Sequence, residues 1–227
     1  NSSFNISGTS LRSSEVFDVE TKSSYSIRVR SSDGALSFDE IFTITVTFSN
    51  QPPTDIALSN SSVAENAPVN TIVGTLTTTD PNSSDTHTYS LVSGTGSTDN
   101  ASFNISGNQL RTSSVFNFEV KSSYSVRIRT TDDLGSFFDE IFIISVTDVN
   151  EAPTDIALSN STIAENQPVN TVVGTLSTTD PDAGETFTYS LVAGTGSADN
   201  GSFNILGNQL RSSEVFDVET KSSYSIR

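Results

Sequence analysis

The chain has 227 residues, of which 27 are acidic and 11 basic, giving a net charge of −16; 33% are hydrophobic and none is Cys or Met. This balance argues against a nucleic-acid ligand, which needs clustered Lys and Arg against phosphate, and against an anionic membrane surface. Without Cys there can be no disulfide and no thiolate metal site, and no run of about 20 apolar residues predicts direct membrane insertion.

Taken in chain order, the predicted elements repeat. "KSSYSIR" occurs at 22–28 and at 221–227, with "KSSYSVR" at 121–127, and "SFNISGNQLR" at 102–111 has partners at 3–12 and 202–211. "DIALSNSSVAENAPVNTIVGTL", beginning at 55, recurs with few changes at 155. The expected organisation is the C-terminal half of one repeat over 1–52, a complete repeat over 53–152, and the N-terminal three-quarters of another over 153–227. With no Met and a start in mid-repeat, the sequence is expected to be a window on a longer array.

Within the complete repeat the hydrophobic period is two. "NTIVGTL" (70–76) and "HTYSLV" (87–92) read as strands. "SYSVRIR" (123–129) sets Tyr124, Val126 and Ile128 against Ser125, Arg127 and Arg129, and "EIFIISVT" (140–147) puts Phe142, Ile144 and Val146 on one face. "DPNSSD", "GTGSTDN" and "SGN" supply the turns between them. About seven short strands per hundred residues predict an all-β fold of tandem Greek-key, immunoglobulin-like sandwiches in an extended array.

The charges are segregated. Every Lys and Arg lies within 12–30, 111–129 or 211–227, so the acids of "AEN", "DPD" and "DVNE" have no counter-charge nearby in sequence. Clustered carboxylates repel or protonate unless a cation neutralises them. A donor set of carboxylates, amides and carbonyls suits calcium, which takes six to eight oxygens. With no Cys and one His, transition metals are poorly supplied.

These motifs, in the order "AEN", "DPD" or "DPN", "FDVE", "TTDD" or "SSDG", then "DVNEAP", resemble the cadherin-like repeats of very large bacterial surface proteins. The resemblance covers the whole chain and implies calcium (Ca2+) held between consecutive domains. At the second junction it assigns Glu65, Asn117, Glu119, Asp148, Asn150, Glu151, Asp180 and Asp182. Here Asn117 stands where the family has Asp, and Glu151 where its linker has Asp. At the first junction it assigns Asp18, Glu20, Asn50, Asp80, Asn82 and Asp132. That set is sparser, because Phe48 and Gln51 replace two linker carboxylates. Phe48 is expected to pack on Pro52 and Pro53 as a dry hinge.

The single His87, with Phe187 as its counterpart, reads as a strand-face residue. No ordered Ser/His/Asp pattern appears, and no enzyme is expected. The sequons at Asn60, Asn100, Asn104 and Asn160 are of a kind that Ser- and Asn-rich sequences generate by chance. The expected function is a structural, secreted or cell-surface protein: a calcium-stiffened rod or filament for adhesion or matrix. Its expected partners are neighbouring repeats of the same protein, homotypic copies and surface glycans. The alternative is a carbohydrate- or partner-binding module, or a passive spacer presenting another domain.

Overall fold

The computed structural model of the protein describes residues 2–227, which form strands joined by turns and irregular segments, with two single 3-10 turns. Two compact units are present, one of residues 1–116 with 123–146 and one of 117–122 with 147–227. Among the described residues no helix is long and apolar enough to cross a membrane.

The first unit opens with two hairpins, β1 (Phe4–Ser7) with β2 (Ser10–Ser13) and β3 (Ser24–Ser32) with β4 (Ser37–Thr45). The complete repeat follows as β5 (Asp55–Leu58), β6 (Ser62–Ala64), β7 (Ile72–Thr79), β8 (His87–Leu91), β9 (Phe103–Ser106), β10 (Gln109–Thr112), β11 (Ser123–Asp132) and β12 (Phe137–Thr147). These strands form two four-stranded sheets, β5-β7-β10-β9 and β6-β12-β11-β8. The expected sandwich is present, with its first strand divided so that β5 serves one sheet and β6 the other.

The division has a local cause. The Asn60 amide donates to the carbonyls of Ser62 and Val73, both at 2.7 Å, and so bends the chain between β5 and β6. The bend brings the Asn60 carbonyl oxygen to 2.5 Å from where a side chain on Gly74 would begin, so only glycine fits there. All four sequon asparagines named above are engaged in this way. Asn160 donates to Val173, Asn100 to Val92 and Asn104 to Thr112.

Alternation along β11 places Val126, Ile128 and Thr130 fully inside, and β12 adds Ile144 and Val146. Burying each large aliphatic side chain contributes about 1.5–3 kcal/mol. The buried Thr130 hydroxyl is satisfied by Thr78 at 2.7 Å. Phe103, Phe116 and Tyr124 stack with centroids 4.4–6.0 Å apart, an arrangement that recurs as Phe4, Phe17 and Tyr25 and as Phe203, Phe216 and Tyr224.

On the opposite face of β11 the cations are neutralised locally. Asp139 accepts from Arg129 Nε at 2.7 Å and from Arg127 at 3.0 Å. The Arg129 guanidinium beside Asp139 brings its carboxyl down to about 2. The positive charge of Arg127 and Arg129 is therefore held on the sheet by Asp139.

The second unit contains β13 (Asp155–Leu158), β14 (Val172–Thr179), β15 (Phe203–Leu206) and β16 (Gln209–Ser212), in the order β13-β14-β16-β15. Its register matches the first: Ile156 faces Thr178 as Ile56 faces Thr78.

Candidate metal centre

In the second unit the linker 147–154 runs into β13, and β14 ends beside it at "DPDAGE". Asp180 closes a tight turn by accepting the Asp182 N–H through Oδ1 at 3.0 Å. Asp182 Oδ2 accepts the Glu151 N–H at 2.7 Å, which ties the linker to the loop after β14. The other oxygens of this pair, Asp180 Oδ2 and Asp182 Oδ1, are buried with no hydrogen-bond partner. Buried acceptors are ordinarily satisfied, so two orphans side by side call for a donor or a cation.

Glu185 joins the pair, with ligand oxygens of Asp180, Asp182 and Glu185 all within 4.8 Å of one another. Burial, then Asp180, Asp182 and Asp148, push the Glu185 carboxyl above its usual range. Glu119 and Asp148 also come within 4.8 Å of Asp182. Glu119 is placed by the turn at 117–121, in which Asn117 Oδ1 accepts the Val120 N–H at 2.7 Å. Asn150 turns its amide back to the Glu151 carbonyl at 3.0 Å. A third group in this unit consists of Glu165, Asp217 and Glu219. Asn166, at φ 60°, bonds its N–H to the Phe216 carbonyl, and Glu165 accepts the Val218 N–H at 3.1 Å.

The first unit carries Glu65, only 2% exposed, beside the left-handed Asn66 (φ 56°) whose N–H bonds the Phe116 carbonyl at 3.0 Å. Near the other linker, Asp80, Asp85 and Asp132 offer carboxylate oxygens within 4.8 Å of one another. Asp80 Oδ1 accepts the Asn82 N–H at 2.8 Å, and its Oδ2 lies 3.0 Å from His87 Nε2. His87 is thus a strand-face residue, paired opposite Asp132 in the β8–β11 ladder, that also meets Asp80.

Asn50 donates to Asp132 Oδ2 and to Ser136, both at 2.9 Å, and Asn82 accepts the Gln51 N–H at 2.7 Å. Burial pulls Asp132 upward, but the Asn50 amide and the Ser136 and Leu134 N–H groups outweigh it, so its carboxyl lies below the usual range. Glu20 accepts from the Ser83 hydroxyl at 2.6 Å, the Ser83 N–H at 3.2 Å and the Ser84 hydroxyl at 3.1 Å. Asp18 is engaged within its own turn, by Glu20 N–H and the Thr21 hydroxyl. Phe48 is 47% exposed, and hydrogen bonds from Asn50 and Gln51 tie this linker down.

Five of these acids lie outside the residues that the resemblance assigns: Asp85, Glu185, Glu165, Asp217 and Glu219. The repeat register held the signal, since 85 and 185 are both acidic. Glu165, Asp217 and Glu219 likewise stand where Glu65, Asp18 and Glu20 stand in the other copies.

No family model matches the chain. It is similar to human Protocadherin Fat 4, at 26% identity over a 217-residue alignment that covers 92% of this chain and 4% of that protein. Among solved structures it is similar to the protocadherin gamma B2 extracellular cadherin domains 1–5, with a TM-score of 0.66 and 20% identity over 98% of this chain and 45% of that one. Mouse protocadherin-24 EC1-3 gives a TM-score of 0.62 and 18% identity over 96% and 76%. The protocadherin gammaB7 EC3-6 cis-dimer structure gives 0.65 and 22% over 97% and 57%. The fold is therefore the all-β sandwich of cadherin extracellular domains. The chain spans a small part of Fat 4 and less than half of the gamma B2 structure. These relatives are protocadherins, and they lend no support to a bacterial setting.

Proposed function

We propose that the chain is a stretch of tandem cadherin-like repeats, over 1–52, 53–152 and 153–227, serving as a structural and adhesive element outside the cell. It acts as a rod or filament stiffened where calcium occupies a linker. The observation that carries this reading is the pair of buried, unpartnered oxygens on Asp180 and Asp182, set among Glu185, Glu119 and Asp148.

The donor set is hard oxygen throughout, which fits calcium and not a thiolate- or imidazole-seeking metal. Asp180, Asp182, Glu185, Glu119 and Asp148 would hold it, with Asn150 and Glu151 also assigned to the set by the resemblance. The ion would supply the positive charge that these residues lack. The chain's own part is to hold the acids in place: Asp182 anchors the linker through the Glu151 N–H, and the turn at Asn117 presents Glu119. At a Kd near 10⁻⁴ M and about 2 mM calcium, binding stabilises by about 1.8 kcal/mol per independent site.

The partners in this reading are neighbouring repeats and, laterally, further copies of the same protein; one structural relative is itself described as a cis-dimer. Small-angle scattering in calcium and in chelator tests the proposal. It predicts a saturable, calcium-dependent elongation that is lost in Asp182→Ala. Identical scattering in both conditions would reduce the acids to surface charge.

A further inference from the structure

The family resemblance implies a cation at both linkers, but the donors of the first unit do not fit one. Asp132 Oδ1 already accepts the Leu134 and Ser136 N–H groups, and Asp132 Oδ2 takes the Asn50 amide. Asp80 is engaged by the Asn82 N–H and by His87, Asn82 by the Gln51 N–H, and Asp18 by its own turn. Both oxygens of Glu20 are held by Ser83 and Ser84. Of the side-chain oxygens around this linker, Asn50 Oδ1 and Asp85 Oδ2 are buried without a partner. Calcium needs six to eight, so a cation entering here would strip several protein donors of their acceptors, each at a desolvation penalty.

We infer that the 48–53 linker is closed by the protein's own hydrogen bonds, the Asn50 amide holding Asp132 and the His87 imidazole meeting Asp80, whose counterpart Asp180 keeps an oxygen unpartnered in the second unit. Two positions account for the contrast. Phe187 has no nitrogen to offer Asp180, whereas His87 meets Asp80. Asp182 keeps a second oxygen open, whereas Asn82 has none after accepting from Gln51. Glu20 then fastens residues 18–21 to the 82–85 loop through Ser83 and Ser84. The joint is fixed by sequence and does not follow calcium concentration. This inference is independent of whether the second unit binds calcium.

Hydrogen–deuterium exchange of the whole chain, read by peptide mass in 2 mM calcium and in EGTA, tests it. Peptides spanning 48–54 and 80–87 are expected to exchange at the same rate in both conditions. Asn50→Ala, which removes two hydrogen bonds, is expected to speed exchange at 48–54 about tenfold whether or not calcium is present. Slower exchange at 48–54 or 80–87 on adding calcium to the parent would overturn the inference. So would an Asn50→Ala chain with unchanged rates at 48–54. Peptides spanning 180–187 report on the second unit separately: a chain without calcium protection there contradicts the proposed function, while the Asn50 comparison still decides the first linker.

Discussion

The linkers at 48–53 and 148–153 descend from one repeat and solve one mechanical problem with opposite chemistry. In both, a residue two places after the strand-end Asp accepts the linker N–H at 2.7 Å, from Gln51 in one and Glu151 in the other. The backbone geometry is thus shared, and the difference lies in what surrounds it. Around the first, an amide and an imidazole meet Asp132 and Asp80 and hydroxyls meet Glu20, so that the unpartnered oxygens are those of Asn50 and Asp85. Around the second, the unpartnered oxygens belong to the strand-end pair Asp180 and Asp182. A repeated fold thus keeps its backbone shape here while two positions, Asn82 and His87, change which side-chain oxygens are engaged.

The largest effect expected from this comparison is thermal. Scanning calorimetry should show the second unit's transition falling by roughly 7–14 °C per site on chelation, from about 1.8 kcal/mol per site, with the first unit's transition unmoved. Asp182→Ala should abolish the response. Equal shifts in both units would erase the distinction.

Next is Asp139→Asn, which should destabilise the first unit by about 1–2 kcal/mol in urea, discounted for the partly exposed arginines, with or without calcium. The sign follows from the lowered carboxyl. Its contribution is present above the unfolded value near 3.8 and is lost as pH falls toward about 2. Parent and variant should therefore draw together as pH falls through about 2.

A smaller effect is expected from making the first linker resemble the second. Asn82→Asp combined with His87→Phe should give residues 80–87 a calcium-dependent exchange rate that the parent lacks. An unresponsive double variant would show that these two positions do not set the difference.

The smallest concerns pH. Because burial and neighbouring acids raise the Glu185 carboxyl, ionising it disfavours the ion-free fold as pH rises, and protonating it disfavours the bound cation as pH falls. Calcium affinity should weaken on acidification above the ordinary glutamate range, and Glu185→Gln should remove that component of the titration.

Much of this was legible in the sequence. The repeat, the period of two and the alternation in "SYSVRIR" lead directly to β11 and its buried Val126 and Ile128. The division of the first strand was not, because it depends on the Asn60 amide reaching the Val73 carbonyl across the sheet. Ligand motifs were legible as acid positions but not as free oxygens. Asp18 and Asn117 sit in equivalent motifs, and both are used to cap their own turns. His87 could not be matched with Asp80 before β8 was set against β11. The hydrogen bonds of the first linker were hidden for a related reason: Phe48 beside two prolines draws attention to apolar packing, while Asn50 and Gln51 find polar partners more than thirty residues away.

The most direct test is calorimetric titration of calcium into the intact chain, beside Asp182→Ala. The account predicts saturable binding near 10⁻⁴ M in the parent, weakened at least tenfold in the variant. Superimposable isotherms, or no saturable heat in the parent, would contradict it.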